Sequence, residues 1–511
     1  MATPSDKLAQ SLEILKSLQD QEIVAIRTSL LTRTHRERLL RNGFIKGVIK
    51  GWYISSRPDE PPGESTAWYT SFWGFCADYL NNRFNGEWCL SPEQSLSIHI
   101  GNLCVPNQLL VRSQKGGNKP TPLLFETSIF DLRLELPVKQ DIITKNGLNI
   151  MSLPSALVNC SPRYFSTHPI EMRAALAMIS SASDILHRLL KGGHSKVAGR
   201  LAGAFRNIGR DKIAENIIAA MRSADYTIHE DDPFEDQPSI VFTPRDTSPY
   251  VNRMRMNWAI MRGSVIERFP SPPNISTDTQ TYLKQVDDIY ATDAYHSLSI
   301  EGYNVSFELI ERVRSGEWNP DLVENDRNHK NALAARGYWQ AFLAVKQSLE
   351  KILNTDSEEV SSIVETDHEK WYRELFAPSV TAGILETVDL AGYRNHPIYI
   401  RGSMHVPPNY IAVRELIPAF FDLLRNEDEP AVRTVLGHFF FVYIHPYMDG
   451  NGRMGRFLMN VMMASGGYPW TVIPVEQRAA YMAALEEVSV SQNIIPFTEF
   501  LAGLVNARIV E

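Results

Sequence analysis

Cysteine is scarce in this chain of 511 residues, and the few that occur are scattered. Cys76, Cys89, Cys104 and Cys160 form no Cys-x-x-Cys pair, so their spacing argues against both a zinc site and a disulfide framework. A chain with so few and so widely spaced thiols fits a reducing compartment. We therefore expect a cytoplasmic protein.

Long apolar runs are also missing. No segment reaches the ~18 apolar residues that a membrane helix needs. The chain opens with an amphipathic stretch that carries Leu8, Leu12, Leu15 and Leu18, and not with a basic segment followed by an apolar run. Such a start is unlike a secretory leader. We expect neither a membrane span nor a membrane partner.

The length exceeds what one hydrophobic core normally serves and predicts about two to four domains. An acidic, proline-containing stretch without periodicity begins at His229 and indicates a linker, which we place at residues 229–249. From about Tyr250 helical patterns run to the end of the chain, interrupted by one hairpin signal. The predicted fold class is mainly α, with an α+β N-terminal half (residues 1–60 and 61–228) and a helical second half (residues 250–511).

One segment of the second half concentrates chemistry. Residues 445–456 read His-Pro-Tyr-Met-Asp-Gly-Asn-Gly-Arg-Met-Gly-Arg, and apolar runs on both sides predict two buried helices. Gly450 and Gly452 flank Asn451, which lets the backbone approach a ligand where the second helix begins, and helix N-termini attract anions. Arg453 and Arg456, three apart, project from one face of that helix. The segment predicts a polyphosphate site.

Two further groups of this segment indicate a reaction. Asp449 lies beside the predicted anion site, and one carboxylate next to bound phosphates is a usual way to hold Mg²⁺. His445 carries an imidazole, which titrates near neutral pH and can take a proton from an attacking hydroxyl.

The segment resembles the signature of the Fic family, His-x-Phe-x-Asp/Glu-Gly-Asn-Gly-Arg-x-x-Arg, and departs from it only at Tyr447, where the family has Phe. The resemblance implies a helical core with a small β-hairpin flap, and a transferase that places AMP from ATP on a Ser, Thr or Tyr hydroxyl of a target protein or of itself. The roles it implies are a general base at His445, a Mg²⁺ ligand at Asp449, an anion-binding turn at Gly450, Asn451 and Gly452, β- and γ-phosphate contacts at Arg453 and Arg456, and an adenine contact at Tyr481.

A second motif precedes the signature. Ser297, Glu301 and Gly302 match the Fic inhibitory motif, Ser/Thr-x-x-x-Glu-Gly/Asn, at the end of a helix predicted over about 281–302. In the family the glutamate pairs with the second signature arginine, here Arg456, and blocks seating of the γ-phosphate. Two alternatives stay open: Glu301 aligns a water that removes AMP, or the hexapeptide is an ordinary helix end.

Between the motifs, residues 393–408 form two short alternating stretches around a Gly-containing bend, which predicts a β-hairpin. The hairpin resembles the Fic flap, which covers the nucleotide and pairs with the target backbone as an added strand. Its central residues are Ile400, Arg401, Gly402 and Ser403. The alternative is an ordinary surface hairpin.

The N-terminal half begins with a basic segment. Between Arg27 and Lys50 the only acidic residue is Glu37, and a predicted helix over 32–41 precedes two short strands. The pattern suggests a winged helix-turn-helix and is similar to the small winged helices of abortive-infection-type antitoxins. That resemblance implies DNA binding through residues 1–60, with contacts from Arg33, Arg36, Arg38, Lys46 and Lys50. The alternative is a solvated basic helix.

Two function classes therefore remain. The first is an autoinhibited AMP-transferase with a regulatory N-terminal half, which includes residues 61–228 and could mediate homodimer formation. The second is a DNA-binding regulator whose Fic half only senses nucleotide. A sensor has no need of a general base at the spacing of His445 from Asp449, Arg453 and Arg456, so the sequence favours the enzyme.

Overall fold

The computed structural model describes residues 3–60, 63–234, 248–273, 278–318, 330–355, 359–390 and 392–510. The chain divides into two compact units. One consists of Met1–Arg253 with Tyr399–Val406, and the other of Met254–Ile398 with Pro407–Glu511. The division falls close to the predicted start of the second half at residue 250.

The first unit combines helices and short strands, as the sequence predicts. Its helices are α1 Pro4–Asp20, α2 Arg33–Arg41, α3 Thr66–Phe84, α4 Pro92–His99, α5 Leu153–Asn159, α6 Pro162–Thr167, α7 Pro169–Ala177, α8 Ser183–Gly192, α9 Ser195–Asn207 and α10 Asp211–Ser223. Its strands are β1 Ile26–Arg27, β2 Ile45–Ile49, β3 Trp52–Ser55, β4 Cys89–Leu90, β5 Gln108–Ser113, β6 Lys119–Pro122, β7 Ser128–Arg133, β8 Ile142–Lys145 and β9 Leu148–Met151.

Residues 3–55 form a small subdomain of α1, α2 and a three-stranded sheet in the order β1-β3-β2. The Thr32 hydroxyl caps α2 by accepting from the His35 amide. Apolar faces of both helices and the sheet meet in a core that includes Leu15, Leu39 and Ile45. The predicted basic helix and the two strands after it are therefore present.

The first residues of the predicted linker, 229–234, pack against α9. Asn207 of α9 donates to Asp232, and Phe234 is buried. A Cβ on Gly199 would lie 1.9 Å from the carbonyl oxygen of His229, so residues 229–234 pack closely on α9. The acidic, proline-containing composition of this stretch does not reveal that its first residues are packed. The remaining linker residues before 248 lie outside the described part of the chain.

Helices are the only regular secondary structure among the described residues of the second unit. Its helices are α11 Pro249–Arg268, whose first residues belong to the first unit, α12 Thr279–Ile300, α13 Phe307–Ser315, α14 Lys330–Leu353, α15 Val360–Thr381, α16 Tyr410–Arg425, α17 Pro430–Ile444, α18 Asn451–Ser465, α19 Arg478–Ser491 and α20 Ile495–Val510. Nearly every residue of α17 and α18 is buried, which confirms the two buried helices predicted on either side of the signature.

The hairpin predicted at 393–408 is wrong. This segment consists of turns and irregular backbone without strands, and Pro397, Pro407 and Pro408 cannot donate to a strand ladder. Its central part, Tyr399–Val406, belongs to the first unit. There Arg401 pairs with Glu64 at 2.6 Å and the Gly402 amide donates to Thr66 at 3.0 Å. These long-range contacts replace the strand pairing that the local pattern favours.

None of the helices in the described ranges combines the length and the apolar composition that a membrane crossing requires.

Candidate active site

His445 ends α17 in the left-handed backbone region, with φ of 54°. Its Nδ1 lies 3.0 Å from the carbonyl oxygen of Val442. Because a carbonyl can only accept, Nδ1 carries the proton, and Nε2 of the neutral ring keeps a free lone pair. Burial lowers the pKa of His445 to about 4, so the ring is neutral near physiological pH. The residue is poised to accept a proton at Nε2.

The loop after His445 is closed by one side chain. Asn451 accepts from the Tyr447 amide at 2.9 Å and donates to the Tyr447 carbonyl at 2.8 Å. Asn451 is almost fully buried, and its side-chain amide is used in these two hydrogen bonds to the Tyr447 backbone. Within the predicted anion-binding turn, Asn451 can therefore contact a ligand only through its backbone.

The turn places backbone amides where α18 begins. Gly450 precedes the helix with φ of 80°, and no side chain of the described residues caps the first turn. The first amide groups of a helix have no partner within the helix and attract anions. Arg453 and Arg456 follow on the same helix, both nearly inaccessible to solvent. The first amides of α18 and these two arginines thus lie in the first turns of one helix.

Arg456 is held by the helix that precedes the signature in sequence. Its Nε donates to the Ser297 hydroxyl at 2.8 Å, and its terminal nitrogen reaches the Ser297 carbonyl at 3.0 Å and Glu301 Oε1 at 2.7 Å. Desolvation acts to raise the pKa of Glu301, but the positive charges of Arg456 and Arg453 outweigh it and lower that pKa. Glu301 is therefore ionised at neutral pH, and the ion pair implied by the resemblance is present.

The Glu301 carboxylate also occupies the anion turn itself. A Cβ on Gly452 would lie 2.3 Å from Glu301 Oε1, closer than any real contact. The close approach of the carboxylate therefore requires glycine at position 452. A carboxylate seated against the start of α18 uses the same attraction that would bind a phosphate.

Arg453 lies between aromatic rings. Its guanidinium carbon is 5.3 Å from the ring centre of Tyr303 and 5.0 Å from that of Phe376. A carboxylate oxygen of Asp449 lies 3.6 Å from a terminal nitrogen of Arg453, and the Asp449 side chain is 67% exposed. Cation–π contacts and the carboxylate together stabilise the buried cation.

The sequence analysis did not identify Arg394, which donates hydrogen bonds to the backbone of the site. Its Nε donates to the His445 carbonyl at 2.7 Å, and a terminal nitrogen donates to the Pro408 carbonyl. Its amide also donates to the Pro446 carbonyl at 2.9 Å. Burial lowers the pKa of Arg394 to about 10. Arg394 stands in the predicted hairpin, where no local pattern marks a contact with a loop some fifty residues later.

Tyr481 is brought near the site but not exposed in it. Its hydroxyl lies 2.7 Å from Nε2 of the buried His438, and its ring, 1% exposed, packs among Phe497 and Phe500. In this conformation Tyr481 presents no ring face to a ligand, so the prediction of an adenine contact is not supported. The flap residues Ile400, Arg401, Gly402 and Ser403 lie in the other unit.

The predicted DNA-contacting residues differ in their availability. Arg33 pairs with Glu37 at 2.7 Å. Arg38 donates to the Lys7 carbonyl and the Ser11 hydroxyl. These contacts hold α2 against α1, so Arg38 supports the subdomain internally. Arg41, a neighbouring cation on α2, and the predicted Lys50 are exposed.

Comparisons with known proteins bear on the second half of the chain. Residues 365–463 match the model of the Fic/DOC family. The chain is 35% identical over 124 residues to a "Protein adenylyltransferase Fic" of Drosophila willistoni, and this alignment covers 24% of each protein. It is 27% identical over 224 residues to "Protein adenylyltransferase fic-1" of Caenorhabditis elegans, which covers 43% of this chain and 40% of that one.

Among solved structures, "Fic-1 (aa134 - 508) from C. elegans" aligns with 21% identity over 67% of this chain and 96% of that one, at a TM-score of 0.37. The chain spans less than half the length of the curated relatives cited above, and residues 365–463 are the part of it that matches the Fic/DOC family model.

Proposed function

We propose that this chain, whose residues 365–463 match the Fic/DOC family, transfers AMP from ATP to a hydroxyl group of a target protein or of itself. The observation that carries the proposal is the arrangement at His445. A neutral imidazole with a free Nε2 follows α17, and the anion-attracting start of α18 follows in the same loop.

In the proposed reaction the target hydroxyl oxygen attacks the α-phosphorus of ATP. A new bond forms between that oxygen and phosphorus, the bond to the β-phosphate bridging oxygen breaks, and pyrophosphate leaves. His445 Nε2 takes the hydroxyl proton. The amides at Gly452 and Arg453, with the guanidinium groups of Arg453 and Arg456, would bind the phosphates and orient the α-phosphate for attack.

Asp449 fits the proposed role of a Mg²⁺ ligand because its carboxylate is exposed beside Arg453 and the anion turn. The described residues contain no group of three or more metal-ligating side chains, so the phosphates and water would supply the remaining ligands. When bound, the ion would neutralise charge on the phosphates. Asp449 orients itself by accepting from the Gly450 amide at 2.6 Å.

We further propose that the chain is autoinhibited by Glu301. The support is that its carboxylate pairs with Arg456 and touches Gly452. A nucleotide that uses these groups for its terminal phosphates must displace the carboxylate first. The resting protein is then poorly active until the contact is broken.

The test is label transfer from α-labelled ATP by the full chain, carried out with Glu301→Gly protein to remove the inhibition. We expect His445→Ala in this background to abolish incorporation while MgATP binding, measured by calorimetry, remains within a few-fold. The matched control is His396→Ala, which removes an exposed histidine side chain of the same unit. Incorporation by His445→Ala at the parent rate would refute the mechanism.

A second function, DNA binding, rests on the N-terminal subdomain. Two helices with a sheet in the order β1-β3-β2 and exposed basic residues at Arg41 and Lys50 support it. Binding to its own promoter region should weaken steeply with salt, since phosphate contacts release counterions. Arg41→Ala with Lys50→Ala should reduce both the affinity and the salt dependence. Removal of residues 1–60 should abolish binding, and a salt-independent or absent shift would refute it.

A further inference from the structure

Glu301 is not the only residue of its segment that contacts a signature arginine. Tyr303 follows it by two positions and lies over the Arg453 guanidinium at 5.3 Å. Arg453 and Arg456 stand three apart on α18. One short segment therefore contacts both cations of the site, Arg456 through a carboxylate and Arg453 through a tyrosine ring and its hydroxyl.

The end of α12 explains how residues two apart reach two arginines. The Gly302 amide donates to the Ser299 carbonyl at 3.0 Å, and the Tyr303 amide donates to the Leu298 carbonyl at 3.1 Å. With Gly302 at φ of 86°, this pair of bonds is a Schellman motif. The reversal turns the chain sharply after Glu301 and brings the Tyr303 ring to Arg453.

Arg453 cannot bind a phosphate as it stands, because its side chain is only 2% exposed. A covering group must move to expose it. Phe376 belongs to α15 and is buried in the helical core. Tyr303 is half-buried and lies outside the helices, and the space beside Gly302 is open, since a Cβ there would meet nothing within 4 Å. Tyr303 is the cover that can move at least cost.

We propose that Tyr303 is a second inhibitory residue, which covers Arg453 and competes with nucleotide phosphate for it. This inference rests on the proposed function of the site. A displacement of residues 301–303 would free Arg453 and Arg456 together. Loss of the Glu301 carboxylate alone would free only Arg456. A Glu301 variant should therefore still bind nucleotide below the full capacity of the site.

The expected size follows from the contact. A cation–π interaction out of water corresponds to a factor of about 2 to 30 in an equilibrium constant. In protein that lacks the Glu301 carboxylate, replacing the ring by an aliphatic side chain should therefore tighten MgATP binding by a factor in this range.

The experiment measures the Kd of MgATP by calorimetry on full chains that carry His445→Ala and Glu301→Gly, so that neither transfer nor the carboxylate affects the result. Tyr303→Leu and Tyr303→Gln remove the ring, and Tyr303→Phe keeps it. We expect the two ringless variants to bind more tightly than the parent, and Tyr303→Phe, which loses only the hydroxyl contact with Arg453, to gain less than either of them. Adding Arg453→Ala to Tyr303→Leu should abolish the gain. Thermal unfolding of each variant establishes that it folds.

Equal or weaker binding by both ringless variants would overturn the role of Tyr303, as would an equal gain in Tyr303→Phe. Either result would leave the proposed transfer intact, since it is tested separately by label incorporation. Absence of MgATP binding in the parent itself would instead refute the nucleotide site, and the inference with it.

Discussion

The Nε of Arg394 donates to the backbone carbonyl of His445 at 2.7 Å. His445 is one of nine residues other than glycine that have a positive φ in the described part of the chain. Such a backbone conformation costs free energy unless surrounding contacts stabilise it. Arg394 supplies that support with a buried, planar set of donors directed at the His445, Ile444 and Pro408 carbonyls. The orientation of the proposed base thus depends on a cation that donates to the backbone of the loop.

Arg394→Met should therefore slow AMP transfer strongly while MgATP binding changes little. A misplacement of about an ångström can lower a rate by a hundredfold, and the orphaned carbonyls would let the loop shift by such amounts. Label incorporation at saturating ATP in the Glu301→Gly background measures the effect. Arg394→Lys should not restore the rate, because an ammonium cannot replace the guanidinium fork.

The matched control is Arg373→Met, which removes an exposed arginine paired with Glu369 at 3.6 Å in the same unit. It should leave incorporation unchanged. If both variants behaved alike, Arg394 would have no special role in holding His445.

Glu301→Gly should raise self-modification well above that of the unaltered chain. Removing the carboxylate frees Arg456 and vacates the space against Gly452, so the terminal phosphates can seat. Adding Arg456→Ala should cancel the gain, because the released arginine is what improves seating. The measurement is incorporation from α-labelled ATP at saturating concentration. Equal labelling with and without the carboxylate would show that residues 297–302 are an ordinary helix end.

The pH dependence of transfer follows from the state of His445. A base works only when unprotonated, and burial places the pKa of His445 at about 4. Glu301 acts to raise that pKa, so Glu301→Gly lowers it further and keeps the ring neutral over a still wider range. For this variant kcat/KM should stay level as pH falls from 8 to about 5.5, whereas an unperturbed imidazole would halve the rate near 6.5. A midpoint near 6.5, in protein that circular dichroism shows to be folded, would contradict this assignment.

The parts of the site that could be predicted from sequence share one property: their partners lie at fixed local spacing. His445, Gly450, Arg453 and Arg456 occupy one loop and the helix turn after it, so helical geometry alone places them together. Arg394 and Tyr303 could not be predicted, since their partners are a backbone carbonyl and a guanidinium far away in sequence.

The same reasoning explains the wrong hairpin. Alternation at 393–408 describes a local preference, but Arg401 and Gly402 are held by Glu64 and Thr66, more than three hundred positions earlier. Tyr481 shows a related limit. The family resemblance implies an adenine contact at Tyr481. The burial of Tyr481 against His438 could not be predicted, because it depends on how α17, α19 and α20 pack.

Tyr447, where the family signature has Phe, provides a stability test. The residue is fully buried, and its ring stacks on Tyr372 with centroids 3.8 Å apart. Its hydroxyl finds no hydrogen-bond partner among the residues that the structure describes. A buried donor without a partner costs about 1–3 kcal/mol. Tyr447→Phe keeps the ring contacts and removes the unsatisfied group, so we expect a higher unfolding temperature, by a few degrees, with transfer activity retained.

Tyr282→Phe is the matched control with the opposite sign. That hydroxyl is equally buried but donates to the Tyr468 carbonyl at 3.0 Å, so its removal leaves the carbonyl without this donor and should lower the unfolding temperature. Scanning calorimetry of the full chain at one pH compares the three proteins, with attention to the transition of the helical unit. A lower unfolding temperature for Tyr447→Phe would mean that the Tyr447 hydroxyl has a stabilising hydrogen-bond partner. That partner would then offset the cost of burying a hydroxyl where the family signature has Phe.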